Sequence, residues 1–254
     1  MLHGNPTWSF YYRNLIGLLS RRCRVIAPDH MGCGLSDKPR RYPYRLATHI
    51  DNVQRLLESL RIERFSLVMH DWGGAIGMGV AVRRPGDVKA LVAMNTAAFR
   101  STRLPARIRL CRWPVVGDLL VRGGNVFVRG ALRMAVGRKM SSDAVRGYLA
   151  PYDSWAHRIG VSRFIRDIPL GPEHPSWDDL VAIEEGLARF AATPLLLVWG
   201  GRDFCFTPGF FREWQQRFPG AESLFLPEAG HYVLEDGFAE AGPAIDEFLQ
   251  RVTG

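Results

Sequence analysis

Short aliphatic and β-branched runs alternate along this chain with longer stretches whose apolar residues recur at helical spacing. That is the pattern of a parallel sheet covered by helices. The runs predict strands over Arg24–Ala27, Phe65–Met69, Leu91–Met94, Leu195–Trp199 and Ser223–Leu226. The stretches between them predict helices over Thr48–Leu60, Gly73–Arg84, Gly209–Phe218 and Phe238–Val252. From about Ala97 to Gly186 the alternation stops, and the segment reads as helix and loop, rich in Arg, Trp and Pro. An insertion of that size between two sheet strands is expected to form a cap over the strand ends, where open α/β sheets bind ligands. The expected division is therefore a core of residues 1–96 and 187–254 with a helical cap over 97–186.

Composition narrows the class without identifying it. A chain of 254 residues with 47% hydrophobic and 23% charged residues suits one globular unit with a full core. No apolar run approaches the roughly 20 residues of a membrane span. The first residues carry no basic region followed by an apolar stretch, so no signal peptide is expected. Cys23, Cys33, Cys111 and Cys205 are scattered and share no metal-binding spacing. They predict reduced thiols in a cytoplasmic protein, with no metal and no cofactor. The net charge of +8 could suggest nucleic acid, but only Lys38, Lys89 and Lys139 are lysines. An arginine skew of that kind fits a composition bias better than a binding function, and no nucleic-acid partner is expected. Locally, Arg100–Lys139 holds Asp118 as its single acid and reads as a basic face.

The chemistry concentrates at the predicted strand ends. In Phe65-Ser-Leu-Val-Met-His-Asp71-Trp72-Gly73-Gly74-Ala75 a strand stops at an acid and a small-residue helix follows at once. This is the strand–turn–helix of a nucleophile elbow with Asp71 in the nucleophile's place. Taken alone, Asp71 could equally be a helix N-cap. His3-Gly4-Asn5-Pro6 places a backbone N–H opposite that acid as half of an oxyanion hole, with the N–H of Trp72 as the other half. Asp203 follows the strand ending at Trp199, and His231 follows the strand ending at Leu226. Singly these would be a turn residue and a loop histidine. The order nucleophile, acid, histidine is that of an α/β-hydrolase triad, in which Asp203 orients His231 and His231 handles the proton. A carboxylate nucleophile attacking saturated carbon forms an ester that can be hydrolysed or can itself leave.

Asn5 beside His3-Gly4, and Trp72 beside Asp71, resemble the haloalkane dehalogenase branch of the α/β-hydrolase superfamily. Longer stretches sharpen this: HGNPTWSFYYRNL, APDHMGCGLSDKP, HDWGGAIGM, NTAAF, APYDSW, RFIRDIPL and AGHYVLED. They are similar to the β-lactone decarboxylases of bacterial long-chain olefin biosynthesis, over essentially the whole chain. The resemblance implies conversion of cis-3-alkyl-4-alkyloxetan-2-ones to cis-alkenes and CO2. It implies Asp71, His231 and Asp203 as catalytic residues, and Asn5 and Trp72 as binding residues for the released carboxylate. It further implies a hydrophobic β-lactone as substrate. Complexes with the β-lactone synthetase and the pathway reductase, or contact with an anionic membrane, are possible uses of the basic face. A haloalkane dehalogenase or related hydrolase is the alternative.

Several residues carry weaker expectations. Tyr152, Asp153 and Trp155 could line the pocket or merely pack the cap. Phe10, Tyr11, Trp8, Phe164, Phe204 and Phe206 could line an alkyl tunnel or be plain core, and His70 is expected to be structural. The oxyanion motif starts at residue 3, while the fold calls for two earlier strands and most of a third. Something like 25–40 residues is then expected to be missing ahead of it. An inactive truncated homologue is the corresponding alternative from a different class.

Overall fold

The computed structural model describes residues 1–253. Four strands form one parallel sheet in the order β1 (Phe65–Asp71), β2 (Val88–Thr96), β3 (Leu195–Gly200) and β4 (Glu222–Leu226). Parallel strands need crossovers, and the helices Trp72–Arg83 and Pro208–Arg217 provide two of them. The period of two sorts the strand side chains onto opposite faces. Leu67, Met69, Leu91, Ala93, Leu195 and Leu197 enter one core cluster, beneath the helices Leu46–Ser59, Trp72–Arg83 and Pro208–Arg217. Val68, Val92, Met94, Leu196 and Val198 enter the other, beneath Arg13–Leu19 and Phe238–Thr253. Covered on both faces, β1, β2 and β3 can be largely apolar, which is why they read as continuous hydrophobic runs, whereas β4 stays mostly exposed.

The predicted strand at Arg24–Ala27 is not one. The segment carries no ladder pairing in the structure. The terminal amine of Met1 donates to the Ile26 carbonyl at 2.7 Å, and Leu2 bridges Met69 in parallel. One bond on the far side of Met1 does not make a ladder.

Above the strand ends, the helices Ala106–Cys111, Val126–Met134, Ser142–Leu149 and Ile159–Arg166 surround a small core of their own. It includes Ile108, Val121, Val128, Tyr152, Val161 and Ile165. The helix Trp177–Gly186 packs instead on the main body, with Leu180 and Ile183 in the first core cluster. No helix among the described residues is long and apolar enough to cross a membrane.

Candidate active site

Asp71 ends β1 with φ 51° and ψ −123°, a conformation that L side chains rarely adopt. Strain of this kind persists only where neighbours over-determine it. Here they do. A Cβ on Gly73 would fall on the Leu2 carbonyl, and one on Gly74 on the Thr96 hydroxyl. The Thr96 hydroxyl donates to the Asp71 carbonyl, and the Trp214 indole N–H donates to the Thr96 carbonyl at 2.9 Å. The tight turn therefore requires the two glycines, and Thr96 clamps it from β2.

The loop His3–Pro6 closes over the carboxylate. The Asn5 backbone N–H donates to Asp71 Oδ1 at 2.6 Å, and a Cβ on Gly4 would overlap the Asp71 side chain. Two buried histidines set this loop. His3 Nδ1–H donates to the Gly4 carbonyl at 2.7 Å, while His3 Nε2 accepts from the His30 N–H at 2.9 Å. Those two bonds select one tautomer of His3. Tyr12 donates its hydroxyl to the Leu2 carbonyl at 2.8 Å, fixing the start of the same loop.

His231 stands on the other side of Asp71, its Nε2 3.6 Å from Asp71 Oδ2. Its Nδ1–H donates to Asp203 Oδ2 at 2.7 Å. Asp203 is held in turn by the Cys205 N–H on Oδ1 at 2.6 Å and by Asn95 Nδ2 on Oδ2 at 2.9 Å. Asn95 is a site residue that the motif reading did not supply. The β1–β2 register pairs His70 with Met94 and then Asp71 with Thr96, so Asn95 is squeezed out of the ladder at φ 36°. The bulge turns its amide towards Asp203 and the Gly200 backbone, where Gly200 N–H donates to Asn95 Oδ1 at 2.8 Å. The asparagine of NTAAF was visible, but its partner was not.

The electrostatics follow from burial. Burial raises the Asp71 pKa above the ordinary carboxylate value, although the charge of His231 and hydrogen bonds from the Asn5 and Trp72 backbone pull it down. Burial works against charging His231, but the charge and hydrogen bond of Asp203, with the charge of Asp71, leave its pKa raised. His70 is fully buried behind the site, and its Nε2–H donates to the His231 carbonyl at 2.9 Å. Its ring stacks on Tyr11, and burial first, then the charge of His231, holds its pKa well below the usual value. His70 thus supports the backbone of His231 as a neutral ring.

Two cavities meet at Asp71. One of ≈270 Å³ runs beneath the cap past Phe127, Ala131 and Phe204, and one of ≈140 Å³ runs past Ala97, Leu104 and Phe206. Asp71, Trp72, Ile108, Ile168 and Cys205 line both. Of the aromatics considered for a tunnel, Phe204 and Phe206 reach these cavities. Tyr11 packs in the core beneath the site, Trp8 and Phe10 pack between that core and the cap helices, and Phe164 stacks on His49. Tyr152 is buried in the cap core, its hydroxyl 3.4 Å from the Thr7 carbonyl. Asp153 pairs with His157, and Trp155 lies under the Arg122 guanidinium at the surface. Of these three only Tyr152 packs the cap core, and none lines either cavity. The Asn5 side chain lines the larger cavity, its Nδ2 donating to the Val161 carbonyl at 3.2 Å and its buried Oδ1 without a partner.

Comparison with known proteins agrees with this fold. The cis-3-alkyl-4-alkyloxetan-2-one decarboxylase of Shewanella oneidensis is 44% identical, over 98% of this chain and 80% of that protein. That of Xanthomonas campestris pv. campestris is 42% identical, over 99% and 87%. The crystal structure of a haloalkane dehalogenase from Bradyrhizobium elkani superposes with a TM-score of 0.89 at 29% identity, covering 99% of this chain and 89% of that one. Residues 1–238 match the α/β-hydrolase fold family, and the chain belongs to that family.

Proposed function

We propose that this protein converts cis-3-alkyl-4-alkyloxetan-2-ones to cis-alkenes and CO2, with Asp71 as the nucleophile. The observation that carries the reading is a buried carboxylate, held in a strained elbow, at the junction of two apolar cavities. A β-lactone bearing two alkyl chains matches that shape, and the Shewanella and Xanthomonas relatives bear its name.

In the proposed reaction, an Asp71 oxygen attacks the ring carbon that carries the lactone oxygen. The carbon–oxygen bond breaks with inversion, giving an aspartyl ester and a free carboxylate. The bond to that carboxylate then breaks, its electron pair forms the alkene, and Asp71 leaves as a carboxylate along with CO2. Inversion followed by anti loss keeps the two chains cis, and no water is consumed. The Asn5 amide and the Trp72 indole are the groups we assign to the carboxylate as it forms. Asp203 orients His231, which sets the charge on Asp71 from 3.6 Å rather than activating water.

We assign the protein to the cytoplasm, where its four free cysteines would stay reduced. The synthetase and reductase of the same pathway are the protein partners this reading implies, and the basic segment Arg100–Lys139 is where they, or an anionic membrane, would touch it.

The test is incubation with a cis-β-lactone and with a 1-bromoalkane, the lactone reaction being run in 18O-water. Alkene is expected from the lactone, little bromide from the haloalkane, and no 18O in the Asp71 carboxylate. Ready bromide release without alkene, or a label on Asp71 after lactone turnover, would establish a hydrolase instead.

A further inference from the structure

Ten large hydrophobic side chains are exposed on the described surface, and seven of them fall between residues 110 and 134. Trp113 and Val115 are 60% and 69% exposed at the tip of the turn after the helix Ala106–Cys111, and Leu119 is 59% exposed a turn later. Leu110, Val126 and Met134 are 44–49% exposed and also line the larger cavity. The apolar surface outside is thus continuous with the apolar lining that ends at Asp71.

This patch has a cationic rim. Arg107, Arg109, Arg129 and Arg133 are all exposed, and among the described residues none of them takes part in an ion pair. Asp118, the one acid of Arg100–Lys139, is neutralised by Arg166 at 2.9 Å and accepts from the Ser162 hydroxyl. Arginine elsewhere behaves differently: Arg13, Arg45, Arg84 and Arg217 each hold a carboxylate. An exposed apolar cluster bordered by one sign of charge marks an interaction surface. Tryptophan and aliphatic side chains beside unpaired arginines are the composition of a face that lies in a lipid interface.

We propose that this face of the cap docks on an anionic lipid bilayer. Trp113, Val115 and Leu119 enter the headgroup boundary, and Arg109, Arg129 and Arg133 meet lipid phosphates. The mouth at Leu110, Val126 and Met134 then faces the bilayer, so a water-insoluble molecule reaches Asp71 without crossing water. That last step rests on the proposed lactone substrate; the docking does not.

Sedimentation with sucrose-loaded vesicles tests it, comparing phosphatidylglycerol–phosphatidylcholine vesicles with pure phosphatidylcholine. Wild type is expected to sediment with the anionic vesicles and to be released by high salt. The triple variant Arg109→Glu, Arg129→Glu, Arg133→Glu should partition at least about tenfold less, each basic side chain near such a surface contributing about 1 kcal/mol. Trp113→Ser with Leu119→Ser should also weaken binding, because apolar insertion is part of the contact. Neither residue lines either cavity at Asp71, so this pair should keep wild-type turnover of a short-chain, water-soluble lactone, which separates lost docking from lost folding. Failure of wild type to sediment overturns the proposal and leaves the face to an acidic protein. Salt-sensitive sedimentation that ignores the Trp113 and Leu119 changes overturns it as well. Vesicle binding by a chain that makes no alkene would uphold the docking and refute the reaction.

Discussion

At the scale of single residues, the proposed chemistry needs Asp71 ionised in a place that disfavours charge. Its pKa is raised by burial, so kcat/KM for a β-lactone should be lost as pH falls through a value above the ordinary carboxylate range. His231 works in the opposite sense, its charge lowering the Asp71 pKa. His231→Gln removes that help, and the acid limb of the pH profile should move to higher pH while alkene is still formed. An unmoved or lowered limb would mean that Asp71 does not sense His231. Asn95 offers a second test. It donates to Asp203 and lines neither cavity. Asn95→Ala leaves a buried carboxylate oxygen short of a donor, a loss of about 1–3 kcal/mol measurable by denaturant titration. Because it reaches the site only by holding Asp203 and the Gly200 backbone behind it, kcat should fall while KM for the lactone stays nearly constant; a change confined to KM would contradict that positioning role.

At the scale of elements, the elbow is the tightest joint in the fold. Gly73 has no room for a methyl group against the Leu2 carbonyl, so Gly73→Ala should cost about 3 kcal/mol and lower Tm by about 10 °C in thermal denaturation. Gly17, exposed in the helix Arg13–Leu19 with nothing within 4 Å of its would-be Cβ, is the opposite case. Gly17→Ala should raise stability by about 1 kcal/mol. If both changes behaved alike, the crowding at Gly73 would not be what holds the turn. The same joint shows what was legible beforehand. The run into Asp71 and the glycines after it are local, and local patterns announce strands and helices well: Thr48–Leu60 was expected where Leu46–Ser59 stands. Arg24–Ala27 has the composition of a strand, but a strand also needs a partner, and pairing is not written in composition. Asn95 is the sharper example. Its place beside Asp203 depends on a register shift between β1 and β2, and a register exists only once both strands are side by side.

At the scale of the whole molecule, neither sheet nor cap alone makes the site. The sheet supplies Asp71, Asp203 and His231 at strand ends. The inserted segment supplies Ile108 and Ile168, which border both cavities and divide the space above Asp71. Two cavities of unequal size meeting at one carboxylate would sort the two chains of a cis-β-lactone, the ≈270 Å³ space taking the longer and the ≈140 Å³ space the shorter. Ala131 borders only the larger cavity and Ala97 only the smaller, and both are half-buried. Ala131→Phe should therefore penalise lactones with a long chain on one ring carbon, and Ala97→Phe those with a long chain on the other. Each should lower kcat/KM by about tenfold or more, the cost of forcing one or two methylene groups out of an apolar pocket. The measurement is a crossover: two lactones with the same pair of chains exchanged between ring carbons, each assayed with both variants. Opposite preferences would mean that each cavity holds one chain. If both variants discriminated against the same lactone, a single cavity would be holding the substrate, and the second would owe its existence to the cap's packing rather than to the reaction.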